Sequence, residues 1–328
     1  MNTFIAAFSL LMLLCNSVSA QECEASQSSR AAEVELGSKT AKGGFRNEDE
    51  IRDKFEHWKT DSDARAWLEA MKYQFADIES VSSSKPHGAK ADVEVRVKRT
   101  SGERVERISI KLVSNPNGFN QIDKRWLATY AKMWRMPRDV QESLQLFVGE
   151  TPPRESGRND ERMFLDELDQ NEQQAVVDFF RAHRDEILSD LFAGDGEHAA
   201  DWMLVAFKAT DEPKWCIRST ADAVSFFGDG DVIITPAGSL KIGRITLQRK
   251  GGDNGRPTAK MLQFKINPVE LFEIPGPEPA SGKYCSRHQF TATSSGYIVL
   301  AMRCKGTVET TVLLCAMLWQ PAAGTIPQ

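Results

Sequence analysis

The segment from Asp92 to Leu112 constrains the fold of this chain more than any other. Apolar residues alternate with polar ones from Val93 to Val97, and again from Ile108 to Leu112. An alternation with a period of two is typical of strands that bury one face. We therefore predict an antiparallel hairpin that turns at Ser101-Gly102 and packs its aliphatic face into a core.

The polar face of this hairpin carries groups suited to chemistry on a phosphate. With a two-residue turn at Ser101-Gly102, Asp92 is expected opposite Lys111. Glu94 is expected opposite Ser109, and the period of two puts all four side chains on one face. Carboxylates can hold Mg²⁺ against a scissile phosphate, and a lysine can orient the attacking water. An exposed hairpin whose charges simply pair across the strands has the same pattern, so both interpretations stay open here.

The net charge of −5 does not indicate a nucleic-acid binder, but the distribution of charge permits one. Between Lys241 and Lys265 there are seven Lys or Arg and a single Asp, whereas Glu150 to Glu197 holds fourteen acids and five Arg. DNA responds to a local cationic surface rather than to net charge. A solvated acidic region and a basic surface loop explain the same pattern. The six cysteines and five histidines show no zinc-binding spacing, which argues against a structural metal.

A more specific signal comes from a family resemblance. An Asp, a hairpin and then Ile-Lys resemble the PD-(D/E)XK nuclease signature, and longer segments are similar to the HinPI family of restriction endonucleases, which cut GCGC. The resemblance runs from about Val34 to Phe272. The segments that carry it are Val34–Lys42, Lys111–Asn115, Gly118–Lys124, Gln248–Arg256 and Met261–Lys265.

This resemblance implies a fold and a catalytic centre. The fold is α/β, with a mixed central sheet, the hairpin at its middle and helices on both sides. The metal-binding aspartate falls on Asp92 and the catalytic lysine on Lys111, with Mg²⁺ as the cofactor. The family has Gln where this chain has Ser109, and most of the superfamily has Glu or Asp there. We therefore expect Glu94 to supply a second carboxylate and the Ile110 carbonyl to be a further metal ligand.

The resemblance also implies two groups of DNA-contacting residues. Phe119 and Gln121 match a wedge that enters the stacked bases, with Asn120 and Lys124 beside them. The alternative is that Phe119 is a core anchor beneath a helix. The second group surrounds Gly251-Gly252 and offers cations and amides to guanine and a carboxylate to cytosine, although some of it is expected to grip phosphates. Its members are Gln248, Arg249, Lys250, Asp253, Asn254 and Arg256.

Residues outside the nuclease-like segment have other expected roles. Residues 1–20 contain an apolar stretch that ends in Val18-Ser19-Ala20, typical of a signal-peptidase site, yet no Lys or Arg precedes it. They are either an export signal or upstream sequence included by a wrong start codon. We expect residues 21–33 to be disordered, residues 34–274 to form the restriction endonuclease domain, and residues 275–328 to form an appended tail of unknown role.

These features predict a type II restriction endonuclease that hydrolyses double-stranded DNA at a short palindrome, with GCGC as the expected site. The expected partners are DNA, a second copy of the chain in a homodimer, and a methyltransferase that protects host DNA; no membrane is expected. The alternatives are a DNA-binding protein that lost catalysis through Ser109, and an exported, unspecific nuclease. We expect a cytoplasmic enzyme, because Cys216, the one cysteine in the body of the chain, shows no adaptation to an oxidising compartment.

Overall fold

The chain alternates short helices with the strands of two separate sheets. This computed structural model describes residues 42–86, 90–115, 118–252, 256–275, 289–292 and 298–301. The helices within these residues are α1 42–56, α2 Ser62–Ala70, α3 Leu127–Met133, α4 Arg138–Val148, α5 Gln170–Ala182, α6 Arg184–Ala193 and α7 Thr220–Gly228. The strands are β1 Ile78–Ser84, β2 Val93–Arg99, β3 Gly102–Val113, β4 Asn120–Arg125, β5 Trp202–Phe207, β6 Lys214–Ser219, β7 Val232–Ile234, β8 Leu240–Ile242, β9 Ile245–Arg249, β10 Leu262–Ile266, β11 Gln289–Ala292 and β12 Ile298–Ala301.

The predicted hairpin is formed by β2 and β3, and it lies in the middle of a mixed sheet. The strand order of this first sheet is β1-β2-β3-β5-β6. Every neighbouring pair is antiparallel except β3 and β5, which run parallel. The mixed sheet expected from the family resemblance is therefore confirmed.

Helices cover both faces of the first sheet, as expected. On one face, the aliphatic side of the hairpin packs against α1 and α2, where Phe55 and Trp67 are buried with Val95. On the other face, Met203 and Val205 of β5 join a larger core that includes α4 to α7. The polar side of the hairpin shares this second face, because successive side chains of a strand point to opposite sides.

A second sheet, which the sequence patterns did not predict, stands beside the first. Its strand order is β4-β10-β9-β8-β7, and all of its pairs are antiparallel. One face packs into the larger core through Leu247, Leu262 and Phe264. The opposite face carries polar and cationic side chains.

The chain divides into two compact units, Met1–Gly276 and Pro277–Gln328. In the second unit, the described residues form one antiparallel pair, β11 with β12. The leader, the segment 21–33 and most of Val34–Lys42 lie outside the described residues, so the domain boundaries expected there stay predictions. Among the described residues, no helix combines the length and the apolar character needed to cross a bilayer.

Candidate active site

Polar groups of the hairpin meet at one point of the first sheet. Asp92 directly precedes β2, and its backbone N–H donates to the Ile108 carbonyl at 2.9 Å. Its Oδ2 accepts from the Ile110 N–H at 2.6 Å and lies 3.4 Å from the Ser109 hydroxyl. Lys111 Nζ lies 3.3 Å from both Ser109 Oγ and the Ile110 carbonyl. Four of the predicted site residues therefore form one hydrogen-bonded cluster.

The register of the hairpin differs from the predicted one. Arg99 pairs with Gly102, so the two-residue turn is Thr100-Ser101 and not Ser101-Gly102. Gly102 has a φ of +126°, which glycine adopts without strain. The alternation could not reveal this difference, because moving a partner by two residues leaves every side chain on its original face.

The corrected register changes which groups face each other. Glu94 pairs with Arg107, so the expected pairing of Glu94 with Ser109 is wrong. The pairing of Asp92 with Lys111 is wrong as well, because the register brings Asp92 beside Ser109. The lysine reaches the cluster from one step further along β3.

Glu94 has partners of its own. Its Oε1 lies 3.4 Å from Arg107 Nε and 2.8 Å from His198 Nδ1. The carbonyl of His198 also accepts from the Ala91 N–H at 3.4 Å. These contacts fasten the loop 194–198 along the start of β2. Glu94 would have to leave two partners to reach a metal ion, so its expected role as a metal ligand stays a prediction.

A cleft of about 520 Å³ opens over the cluster. Its walls are the hairpin, strand β4 and the loop 194–198. The cationic residues that line it are Lys90, Lys111, Lys124 and Arg125, and the acidic ones are Asp92, Asp123, Asp195 and Glu197. A cleft that offers both signs of charge can hold an anionic phosphate and a cation side by side.

Lys90 lies in this cleft and was not among the residues predicted from the sequence. Its Nζ donates to the Ile122 carbonyl at 2.8 Å and lies 3.5 Å from Asp123 Oδ2. Desolvation lowers the pKa of Lys90 to about 8, although the nearby Asp123 carboxylate acts in the opposite direction. Asp123 also accepts from the Tyr130 hydroxyl at 2.7 Å and pairs with Arg125 at 2.9 Å. The period of two would have placed Lys90 on the same face as Asp92.

The cluster has a donor set that fits Mg²⁺. The carboxylate of Asp92, the carbonyl of Ile110 and the hydroxyl of Ser109 are all oxygen donors. Mg²⁺ is usually held by one or two carboxylates, with waters and substrate phosphates completing its shell. Within the described residues, no three His, Cys, Asp or Glu side chains are grouped to hold a metal, so backbone, water and substrate oxygens would supply the other ligands.

The turn that was expected to distort DNA lies beside the cleft, at the start of β4. Phe119 exposes 55% of its surface, so the alternative that it is a core anchor is wrong. Asn120 Nδ2 donates to the Leu112 carbonyl at 3.2 Å and ties the turn to β3. Gln121 and Lys124 line the cleft. Their contact with DNA stays a prediction.

The expected recognition segment Gln248–Arg256 comprises the end of β9 and the loop that joins it to β10. Its residues differ in their exposure and in their hydrogen-bond partners. Arg249 pairs with Glu161 at 3.1 Å and donates to the Ala259 carbonyl at 3.2 Å, with only 11% of its side chain exposed. Gln248 is half-buried and lies across from Gln263 of β10. Of the other loop residues, Lys250 is half-buried and Arg256 exposed, whereas Asp253 and Asn254 lie outside the described residues.

The family that matches this chain and a similar solved structure are both restriction endonucleases. A family model described as the R.HinP1I restriction endonuclease matches residues 71–272, which include the cluster and the cleft. Among solved structures, the chain is similar to the restriction endonuclease MspI in complex with its cognate DNA, with a TM-score of 0.49 and 16% sequence identity, over 67% of this chain and 87% of that chain. No curated protein matches the sequence.

Proposed function

We propose, on the premise that the chain belongs to the R.HinP1I restriction endonuclease family, that this type II restriction endonuclease cuts GCGC with the help of Mg²⁺. The family establishes a site-specific hydrolase of DNA; the site sequence and the metal are our proposal. The observation that carries it is the contact of Asp92, Ser109 and Lys111 in one cleft within the matched segment.

Each group of the cluster has a proposed role in hydrolysis. Asp92 and the Ile110 carbonyl would hold Mg²⁺, which when bound offsets the charge that develops on the phosphate. The Lys111 ammonium orients the attacking water in line with the leaving oxygen and adds a second positive charge. Ser109 accepts from Lys111 and donates to Asp92, so we assign it to holding these two groups at a fixed separation.

The side chains on the outer face of the second sheet support the proposal that DNA binds there and extends into the cleft. Two rows of side chains cross its strands on the side opposite the core. The first row is Lys124, Gln263 and Gln248, and the second is Gln121, Lys265, Thr246, Lys241 and Ile233. Gln263 is buried, whereas the other members are half-buried or exposed. Neither row contains an acid. Because Gln121 and Lys124 also line the cleft, a duplex lying on this face would reach the catalytic cluster.

The lysines of this face are available for phosphates. Lys124, Lys241 and Lys265 take part in no ion pair among the described residues, whereas lysines elsewhere, such as Lys98 and Lys208, are paired with acids. Burial lowers the pKa of Lys265, because desolvation disfavours its charged form. An unpaired, partly desolvated cation gains more from a phosphate than a fully hydrated one does.

The proposed reaction implies partners and a location. An enzyme that cuts GCGC in its own cell needs a methyltransferase that modifies the same sites, and a homodimer would present one active site to each strand of the palindrome. We propose a cytoplasmic enzyme, because invading and host DNA meet there. Sedimentation of the purified protein and fractionation of cells that express the native gene check the last two points.

A plasmid digest tests the proposed function. Purified enzyme with Mg²⁺ should cut a linear plasmid into discrete fragments, and sequencing of the fragment ends should show GCGC at every cut. A control plasmid without GCGC should stay intact. A smear would instead identify an unspecific nuclease. Specific binding without cutting would identify a DNA-binding protein that lost catalysis.

A further inference from the structure

Strand β4 contains an irregularity next to the catalytic cluster. Phe264 of β10 pairs with Asp123, but Lys265 pairs with Gln121, so Ile122 is an extra residue without a partner on β10. Such a β-bulge removes a residue from the ladder and turns the strand locally. The carbonyl of Ile122 accepts from Lys90 Nζ at 2.8 Å instead.

Lys90 is held firmly on the catalytic side as well. It stands two residues before Asp92 and exposes only 16% of its side chain. The chain of the loop 194–198 passes directly against it, since a Cβ at Gly194 would lie 2.9 Å from the Cβ of Lys90. The next two N–H groups, those of Ala91 and Asp92, donate to carbonyls of this loop and of β3. A displacement of the bulge would therefore shift Asp92 through the Lys90 side chain and the two peptide units between Lys90 and Asp92.

The other side of the bulge leads to the residues proposed to distort DNA. Gln121 precedes Ile122 and is exposed, and Phe119, two residues before Gln121, exposes 55% of its surface. Entry of these side chains between base pairs would place the start of β4 under the strain of the distorted duplex.

From this connection we propose that Lys90 is a positioning residue that couples DNA distortion at Phe119 and Gln121 to the placement of Asp92. The inference rests on the proposed function. Correct seating of the turn at the cognate site sets the position of the bulge. The hydrogen bond from Lys90 transmits that position to the catalytic aspartate, so cleavage responds to recognition.

Replacement of Lys90 tests the coupling without removing the fold. Lys90→Met keeps the length of the side chain and loses the donor, while Asp123 keeps Tyr130 and Arg125 as partners. Lys90→Arg retains a donor. The matched control is Lys98→Met, which changes an exposed lysine in β2, further along the hairpin. Thermal unfolding identifies any variant that fails to fold.

Two rates and one binding constant decide the outcome. Single-turnover cleavage is measured on the cognate site and on a site with one substituted base, and affinity for the cognate site is measured without metal. We expect Lys90→Met to bind cognate DNA within about threefold of wild type but to cut it at least about thirtyfold more slowly, with a smaller loss on the substituted site. Lys90→Arg should recover part of the cognate rate, and Lys98→Met should behave as wild type.

Three results would overturn the coupling. An unchanged cognate rate for Lys90→Met would show that Asp92 does not depend on Lys90. Equal losses on both sites would show that Lys90 acts on the phosphate directly, and a matching loss of binding or melting temperature would show a purely structural role. A wild-type enzyme that cuts no DNA would instead overturn the proposed function, and this inference with it.

Discussion

At the scale of single residues, variants of the cluster at the start of β2 should lose cleavage while they keep DNA binding. Asp92→Ala and Lys111→Ala should each slow cleavage at least about 100-fold, because both groups are proposed to act on the phosphate and its attacking water. Affinity for the cognate site should change little, since the proposed base contacts lie elsewhere. The control is Arg96→Ala, on the same face but further along the hairpin and paired with Glu103. Substantial cutting by either variant would refute the assignment.

Glu94→Gln distinguishes two roles for the Glu94 carboxylate. If Glu94 holds the loop 194–198 through His198 and Arg107, the amide should cut more slowly while the Mg²⁺ concentration for half-maximal rate stays unchanged. We expect this result, because both partners contact the carboxylate. A rise of about tenfold or more in the Mg²⁺ requirement would identify Glu94 as a ligand after all. The measurement is a Mg²⁺ titration of the single-turnover rate.

The residues show what could be predicted from the sequence. The period of two identified the face that carries Asp92, Ser109 and Lys111, because alternation is a local property of a strand. It could not fix the register, since shifts by two residues preserve the faces. It could not find His198 either, because the contact with Glu94 joins positions 104 residues apart.

At the scale of elements, the second sheet was the least predictable part of the fold. Its strands are short, and which of them pair depends on a core built by distant helices. The two rows of outer side chains could not be predicted, because they depend on the register of β4, β10 and β9. The signal in the sequence was the excess of cations between Lys241 and Lys265.

The lysines of the outer face should determine the salt dependence of binding. Changing Lys124, Lys241 and Lys265 together to Gln should reduce the slope of log affinity against log salt by about 2–3, at about 0.9 per phosphate contact. The matched control changes three paired lysines, Lys54, Lys98 and Lys208. An unchanged slope in the variant without Lys124, Lys241 and Lys265 would show that the duplex does not lie on this face.

At the end of β9, Gln248 and Arg249 should have different roles, one in base recognition and one in stability. Gln248→Ala should relax one position of the site by about 1–3 kcal/mol. Arg249→Ala should instead lower the melting temperature, because the guanidinium is buried against Glu161 and the Ala259 carbonyl. Binding to singly substituted sites and thermal unfolding separate the two effects. A loss of affinity at one base position for Arg249→Ala would instead show that Arg249 contacts a base.

At the scale of the whole molecule, the nuclease should not depend on the second unit. The family match ends at residue 272, and the division into units falls after Gly276. A chain that stops at Gly276 should cut the same sites as the full chain, with a melting temperature within about 2 °C of it. A loss of cutting or a larger drop in melting temperature would give Pro277–Gln328 a part in the nuclease.

The parallel pairing of β3 with β5 delays completion of the first sheet during synthesis on the ribosome. Arg107 and Asp201, which are hydrogen-bonded beside this pairing, are separated by 94 residues in the sequence. At about 5–20 residues per second, a ribosome needs on the order of 5–20 s to synthesise that interval. The hairpin that carries Asp92 and Lys111 therefore leaves the exit tunnel long before its neighbouring strand and the His198 loop exist. We therefore expect a chain that has not yet added β5 and the loop 194–198 to be unable to cut the chromosome.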